Sequence, residues 1–351
     1  MSSETPSTSA DRPRGTHVVR RAALGVCLAL AGLGAVAVTW AMRPPDPLER
    51  GSRTVEIPAT IGLLGVARHL ADQGVIRSQA VFVGLTLSRG TARSLKAGEY
   101  EVPRDASTFD VVELLESGRV RQHVVLHPEG ASVSELARVL EGERLARADD
   151  VVKAAASERL RQALGIEGPS LEGYLFPDTY QFVRGMSVDE MLSRMVQRMR
   201  GKLTTEVQAR ARELGLSVHQ LLTLASIIER EAVDASEQKL ISAVFWNRLR
   251  LDMPLQADPT VQYAVAKERR PLTRADLASE NPYNTYVHKG LPPGPIASPG
   301  EGAIAAALDP APVKFLYFVA RGPDDRRHYF STTVAEHNAA VARYRLSRRQ
   351  L

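Results

Sequence analysis

The residues best suited to acid–base chemistry in this chain are two glutamates set two apart, Glu229 and Glu231, in the segment Ser217–Ala232 (SVHQLLTLASIIEREA). On a helical wheel the apolar stripe of this segment centres near Leu221, Ala225, Ile228 and Ala232. Arg230 falls on the opposite side, where solvation is expected. Glu229 and Glu231 each lie about 80° from the stripe centre, one on either flank. A carboxyl at the edge of a buried stripe sheds water, which raises its pKa and lets it donate a proton near neutral pH. The same spacing also suits a boundary glutamate paired with an arginine, and the wheel does not choose between the two glutamates.

Two further segments carry chemistry of another kind. One combines Phe245–Leu249 with Met253–Tyr263 (MPLQADPTVQY), and the other is Asn281–Ile296 (NPYNTYVHKGLPPGPI). Both mix amides, hydroxyls, tyrosines and rigid turn residues outside regular structure. Carbohydrate sites need that mixture: amides and carboxylates for hydroxyls, tyrosine faces for sugar rings, and loops held by proline and glycine. Well-capped structural turns would have the same composition. The eight histidines are scattered and form no HExxH pattern, and one cysteine supports neither a disulfide nor a cysteine-based zinc site. No metal or cofactor is implied.

The elements that must position these residues read as α+β. Runs near Thr54–Ile57, Tyr100–Val102, Val120–His127 and Phe315–Ala320 predict strands. Apolar spacing of period 3.6 predicts helices over Ile61–Gln73, Ser78–Arg89, Thr108–Ser117 and Ser132–Leu140. The chain from Ala148 to Arg212 reads as mostly helical, interrupted by Leu171–Tyr180. Three places share one design, at Ile57–Thr60, Val102–Ser107 and His127–Ser132: a strand ends at proline, a turn follows, and Thr or Ser is set to cap the next helix.

The 351 residues suffice for roughly two compact domains, and 44% apolar with 24% charged residues is ordinary for a globular protein, which excludes disorder or a fibre as the main state. The net charge of +5 is too small to argue for nucleic acid, and no basic helix or stripe stands out. Composition is uneven in one place. Ala22 to Met42 carry no charge, and as a helix they span about 31 Å, matching a hydrocarbon core of about 30 Å. Arg12, Arg14, Arg20 and Arg21 precede this run, whereas Asp46 and Glu49 dilute the charge after Arg43. The positive-inside rule puts the N-terminus in the cytoplasm and everything after Arg43 outside, with Trp40 as an aromatic anchor near the outer end. The run is too long for the apolar part of a cleaved signal peptide. Pro44, Pro45 and Pro47 then make a stiff linker.

Taken in order, LEGYLFPDTY, LASIIEREA, VFWNRL, LQADPTVQY, NPYNTY, GLPPGPIASPG and FLYFVA with Glu336-His337-Asn338 closely resemble the endolytic murein transglycosylase family. The resemblance covers nearly the whole chain after the apolar run, including a LysM-like region before the catalytic part. It implies that Glu229, the first glutamate of its motif, is the catalytic acid. Glu231 and Glu172 are implied as supporting residues, and Gln256, Asp258, Thr260, Tyr263, Asn284 and Tyr286 as substrate-binding residues of the cleft. The implied organisation is a cytoplasmic stub (1–21), a transmembrane helix (22–42), a linker (43–53), a LysM-like peptidoglycan-binding module (54–126) and a catalytic domain (127–351).

The implied reaction cleaves the β-1,4 bond between N-acetylmuramic acid and N-acetylglucosamine without water and leaves 1,6-anhydro ends. The implied partners are peptidoglycan glycan strands, the synthases that make them and the bilayer of the inner membrane. A non-catalytic, membrane-tethered peptidoglycan scaffold would explain the anchor and the aromatic loops without using Glu229. An intracellular lyase using pyridoxal phosphate fits neither the apolar run nor any lysine context.

Overall fold

The computed structural model describes residues 15–347 apart from 48, 49, 59, 60, 268, 323, 324 and 326. Arg12, Arg14, Glu49 and Thr60 therefore lie outside the described residues. The chain divides into two units, Met1–Arg121 and Gln122–Leu351.

In the first unit, helix α1 (Gly15–Met42) contains the stretch Ala23–Met42, 20 residues long and apolar enough to cross a membrane. Leu24, Leu28, Leu30 and Leu33 are all exposed on it, a surface suited to a nonpolar medium. Its last turn is tied down. The Arg77 guanidinium lies 4.8 Å from the Trp40 ring centroid and donates to the carbonyls of Pro44 and Pro45. Strand β1 (Ser52–Ile57) is followed by α2 (Leu63–Asp72), α3 (Gln79–Ser88), β2 (Gly98–Pro103) and α4 (Thr108–Ser117). β1 and β2 pair antiparallel with Val55 opposite Tyr100. The period-2 alternation of β1 sends Val55 and Ile57 into one core with Leu70, Phe82 and Val111. The Ser/Thr cap appears where Ser107 and Asp110 form a capping box at α4. At α2 the N-cap is instead Gly62, with no side-chain hydrogen bond.

The second unit begins with β3 (Gln122–His127), α5 (Val133–Gly142), α6 (Ala148–Ala156) and α7 (Glu158–Ala163). Ser132 and Glu135 form the capping box of α5. β3 pairs antiparallel with β4 (Asp178–Val183), so the break between units falls at Arg121/Gln122 rather than after residue 126. The interruption at Leu171–Tyr180 thus runs into a strand. Helices α8 (Val188–Lys202), α9 (Thr205–Glu213) and α10 (Val218–Glu231) follow, then a 3-10 turn (Ala235–Glu237) and α11 (Gln238–Arg250). Next come α12 (Asp258–Ala264), α13 (Arg274–Leu277), α14 (Glu301–Leu308), the antiparallel hairpin β5 (Tyr317–Ala320) and β6 (His328–Ser331), and α15 (Val334–Ser347). Mixed α and β structure is thus present, with antiparallel strands in three separate pairs among the described residues.

Helix α10 is the centre of this unit. Ser217 and Gln220 close a capping box at its start, and Leu221 through Ile228 are all buried. The expected one-sided stripe is buried all round because α9, α11, α12 and α14 pack about the helix. Each of Leu221, Leu222, Leu224, Ile227 and Ile228 contributes about 1.5–3 kcal/mol by leaving water. In its last turn α10 emerges from this packing, and that turn carries both glutamates.

Candidate active site

The loop GLPPGPIASPG runs alongside α10 and is fastened to it by side chains of the helix. His219 Nε2 donates to the Pro293 carbonyl at 2.8 Å, while Nδ1 accepts from the Tyr174 hydroxyl at 2.9 Å. Seven residues on, Ser226 Oγ accepts from the Ile296 amide at 3.0 Å. One turn later, Glu229 Oε2 accepts from the Gly300 amide at 3.0 Å. Positions 219, 226 and 229 share one helix face by the 3.6-residue period, so the loop is laid down in register with the helix. The other wall of the loop is the LEGYLF segment. Gly173 has φ +78°, and a β-carbon there would overlap the Pro295 ring.

A second turn, His127–Ala131, pairs with the same loop. Gly130 N donates to Ser298 O at 2.8 Å, Ser298 N to Ala131 O at 2.9 Å, and His127 bonds Ser298 Oγ at 2.9 Å. Burial holds His127 down to about 4, so its imidazole is neutral. The pairing delivers Glu129 beside Glu229. Glu129 is exposed, and its carboxylate lies over Gly300, where any β-carbon would collide with it. Three influences act on Glu229. Burial raises its pKa most, the Gly300 amide lowers it, and the Glu129 charge raises it again, leaving it above the ordinary carboxylate value. Arg230 is half-buried rather than freely solvated and donates to the Gly130 carbonyl at 3.3 Å, because the Glu129 turn folds over this end of the helix.

On the other flank of α10, Glu231 faces Asp258 and Arg248. Burial first, then the Asp258 charge, pushes the Glu231 carboxyl up to about 8, against the pull of Arg248 and Arg230. At neutral pH it keeps its proton. Arg248 is buried and serves as a hub. Its Nη1 donates to Leu255 O at 2.7 Å, its Nε to Leu316 O at 2.7 Å, and its guanidinium lies over the Tyr317 ring. This ties the 254–256 segment to the β5 end of the hairpin. Gln256, at φ +50°, and Asp258, which accepts from the Tyr286 hydroxyl at 2.6 Å, complete the floor.

These groups border two adjoining cavities of about 580 and 400 Å³, which share Glu231, Asp258 and His328. Both volumes lie within the usual range of small-molecule sites. The first holds Glu129, Glu229 and Arg230, and the second Arg248, Gln256, Tyr286 and Phe318. The arrangement offers a proton donor, hydrogen-bonding partners for hydroxyls and an aromatic wall in one polar cleft.

Other residues expected in the cleft lie elsewhere. Thr260 is wholly buried and bonds Ala257 O and Thr285 Oγ1 at 2.7 and 2.9 Å. Asn284 is equally buried, donating to Leu277 O and Ser279 O and accepting from Tyr286 N. Tyr263 packs its ring 4.9 Å from that of Tyr283. Glu172 is buried and accepts from Val133 N at the start of α5. These four hold the loops and helices that form the cleft, because loop backbone needs polar partners as much as a ligand does. Glu129, Arg248 and His328 were not singled out by sequence reasoning. The only signal for Glu129 was its place after proline in a recurrent turn.

Residues 55–343 match the YceG-like family. This chain belongs to the YceG-like family. A relative from Bacillus subtilis (strain 168), named endolytic murein transglycosylase, is 32% identical over 318 residues, covering 85% of this YceG-like chain and 87% of its own length. One of the same name from Streptococcus pneumoniae (strain D39) is 29% identical over 332 residues, and this chain spans 60% of its length. The crystal structure of a yceG-like protein from Listeria monocytogenes superposes with a TM-score of 0.57 at 33% identity, covering 83% of this chain and 99% of that one. The family that the order of motifs resembles is the one matched.

Proposed function

We propose that this YceG-like chain is a membrane-anchored endolytic murein transglycosylase, with Glu229 as its catalytic acid. The name its relatives carry supports the activity. The observation that carries the site is the Glu229 carboxyl, half-buried, raised in pKa and held by Gly300 N–H at the edge of a polar cleft. Protonated Glu229 gives its proton to O4 of N-acetylglucosamine as the C1–O4 bond from N-acetylmuramic acid breaks. The carboxylate so formed takes the proton of that muramyl residue's C6 hydroxyl, and O6 closes on C1 to give the 1,6-anhydro ring. One carboxyl suffices because the nucleophile belongs to the substrate and has a high effective concentration. Glu231, protonated at neutral pH, and Asp258 bind and orient the strand.

The apolar stretch Ala23–Met42 supports a single-pass anchor, and the basic residues before it support a cytoplasmic N-terminus. The strand–helix–helix–strand order of Ser52–Pro103 supports reading that part as the LysM-like peptidoglycan-binding module. An anchored enzyme cuts where synthases extrude new strands and so limits their length.

The test is mass spectrometry of sacculi digested by the full chain. Wild type should release anhydro-terminated fragments, and Glu229→Gln should release none while keeping its melting temperature. Full release by Glu229→Gln overturns the assignment. Wild type that is retained on sacculi without releasing fragments would establish a scaffold instead.

A further inference from the structure

His328 opens β6, 99 residues beyond Glu229 in the chain, yet it lines both cavities of the cleft. What holds it there is unusually complete. Glu237, itself buried at 5% exposure, accepts from the His328 backbone N–H through both carboxylate oxygens, at 3.0 and 3.1 Å. The same carboxylate meets His328 Nδ1 at 2.7 Å. Phe318 and Phe330 stand edge-on to the imidazole at 5.3 and 6.3 Å between centroids. The ring therefore has one orientation and one tautomer, since a carboxylate at Nδ1 keeps the proton on that nitrogen. The opposite nitrogen, Nε2, makes no hydrogen bond to any described residue and is not sealed from solvent. An acceptor lone pair fixed in direction by a buried carboxylate and left unsatisfied at a cleft wall is the arrangement of a ligand contact.

We propose that the Glu237–His328 pair presents Nε2 as a hydrogen-bond acceptor to a hydroxyl or acetamido N–H of the bound glycan strand. His328 touches the substrate, and Glu237 is the positioning residue behind it. The inference rests on the cleft being the glycan site, but not on Glu229 being the acid. Glu231 and Asp258 line the cavities beside His328 and supply carboxyl oxygens as further acceptors. His328 differs in that Glu237, bonded to both its ring and its backbone, fixes the direction in which Nε2 is presented.

The experiment measures binding of peptide-free glycan strands to the full chain carrying Glu229→Gln, so that turnover plays no part. Glutamine at 328 can place an amide oxygen near the position of Nε2, whereas asparagine reaches only that of Nδ1. His328→Gln should keep affinity close to the parent. His328→Asn and His328→Ala should lose about fivefold to tenfold, the loss of one hydrogen bond. In the active background the same two variants should raise KM more than they lower kcat. The reverse order, with asparagine rescuing and glutamine failing, would make the residue a structural partner of Glu237 and overturn the proposal. Unchanged affinity in all three variants would overturn it as well. A second measurement needs no substitution at 328. Carbethoxylation mapped by mass spectrometry should modify His328 in the free chain and spare it when glycan saturates the cleft. Equal modification in both states, or none in either, counts against a substrate contact.

Discussion

The Gly300 amide donates to Glu229 Oε2 at 3.0 Å while Gly300 also serves as the N-cap residue of α14. The candidate acid thus sits at the start of a helix, where N–H groups favour negative charge, and burial opposes that preference. Burial wins, and Glu229 titrates above its ordinary value. The hydrogen bond orients the carboxyl, and the desolvation and the neighbouring Glu129 keep it an acid.

Removing the Glu129 charge should therefore move the titration of Glu229 in a known direction. Without a negative neighbour the ionised form is easier to reach, so the pKa falls. With Glu229 as the proposed acid, competent only when protonated, the alkaline limb of kcat/KM should shift to lower pH in Glu129→Gln. A pH–rate profile with glycan strands checks this. An unchanged alkaline limb would show that Glu129 does not act on the acid. Arg230, Glu231, Asp258, Arg269 and His328, which line the same cavity, remain as in wild type in this comparison.

Gly300→Ala should reproduce much of that change by geometry alone. The φ of −78° and ψ of 174° suit alanine, so no backbone strain arises. The new β-carbon must displace the Glu129 carboxylate, the end of an exposed and flexible side chain. Stability should change by less than about 1 kcal/mol, while the pH profile moves toward that of Glu129→Gln. Thermal unfolding and kcat/KM against pH measure the two effects.

Glu231 should reveal itself in stability. Its folded pKa of about 8 stands above the ordinary 4.5, so the folded state binds the proton more tightly than the unfolded state does. This stabilisation is full below about pH 4.5 and is lost as pH rises toward 8. Glu231→Gln, which cannot ionise, should flatten the decline, and its melting temperature should gain on wild type through that window. A constant difference between the two proteins from pH 5 to 8 would show that Glu231 does not carry the shift.

Thr260 tests whether the QADPT segment acts by contact or by support. Thr260→Val leaves the Thr285 hydroxyl and the Thr285 amide short of a buried partner and should cost about 1–3 kcal/mol. Thr260→Ser keeps the hydroxyl and should restore most of it. Denaturant unfolding of both variants decides the matter; equal stability would refute the lock.

Much of the scaffold was legible because its causes are local. Ser107 with Asp110 and Ser132 with Glu135 announce α4 and α5 by the spacing of a capping box, and both helices begin there. The alternation around Val55 predicts a half-buried strand, and the uncharged run to Met42 predicts a helix of bilayer length. The strand at Asp178–Val183 was missed, since its pairing with β3 lies some fifty residues away in the chain.

By itself, the sequence determined which segments carry chemistry and where helices begin, since period, caps and charge act over a few residues. Only the tertiary structure decided what each polar side chain does. Thr260 and Asn284 have the composition of sugar ligands but face loop backbone, whose buried groups need partners. Glu129 and His328 lie about a hundred residues to either side of Glu229, and loop pairing and a hairpin bring them to its cleft. The local pattern could place Glu229 and Glu231 on opposite flanks of one helix. The neighbours that set their protonation, Gly300 and Glu129 for one and Asp258 and Arg248 for the other, come from distant segments brought together by packing around α10.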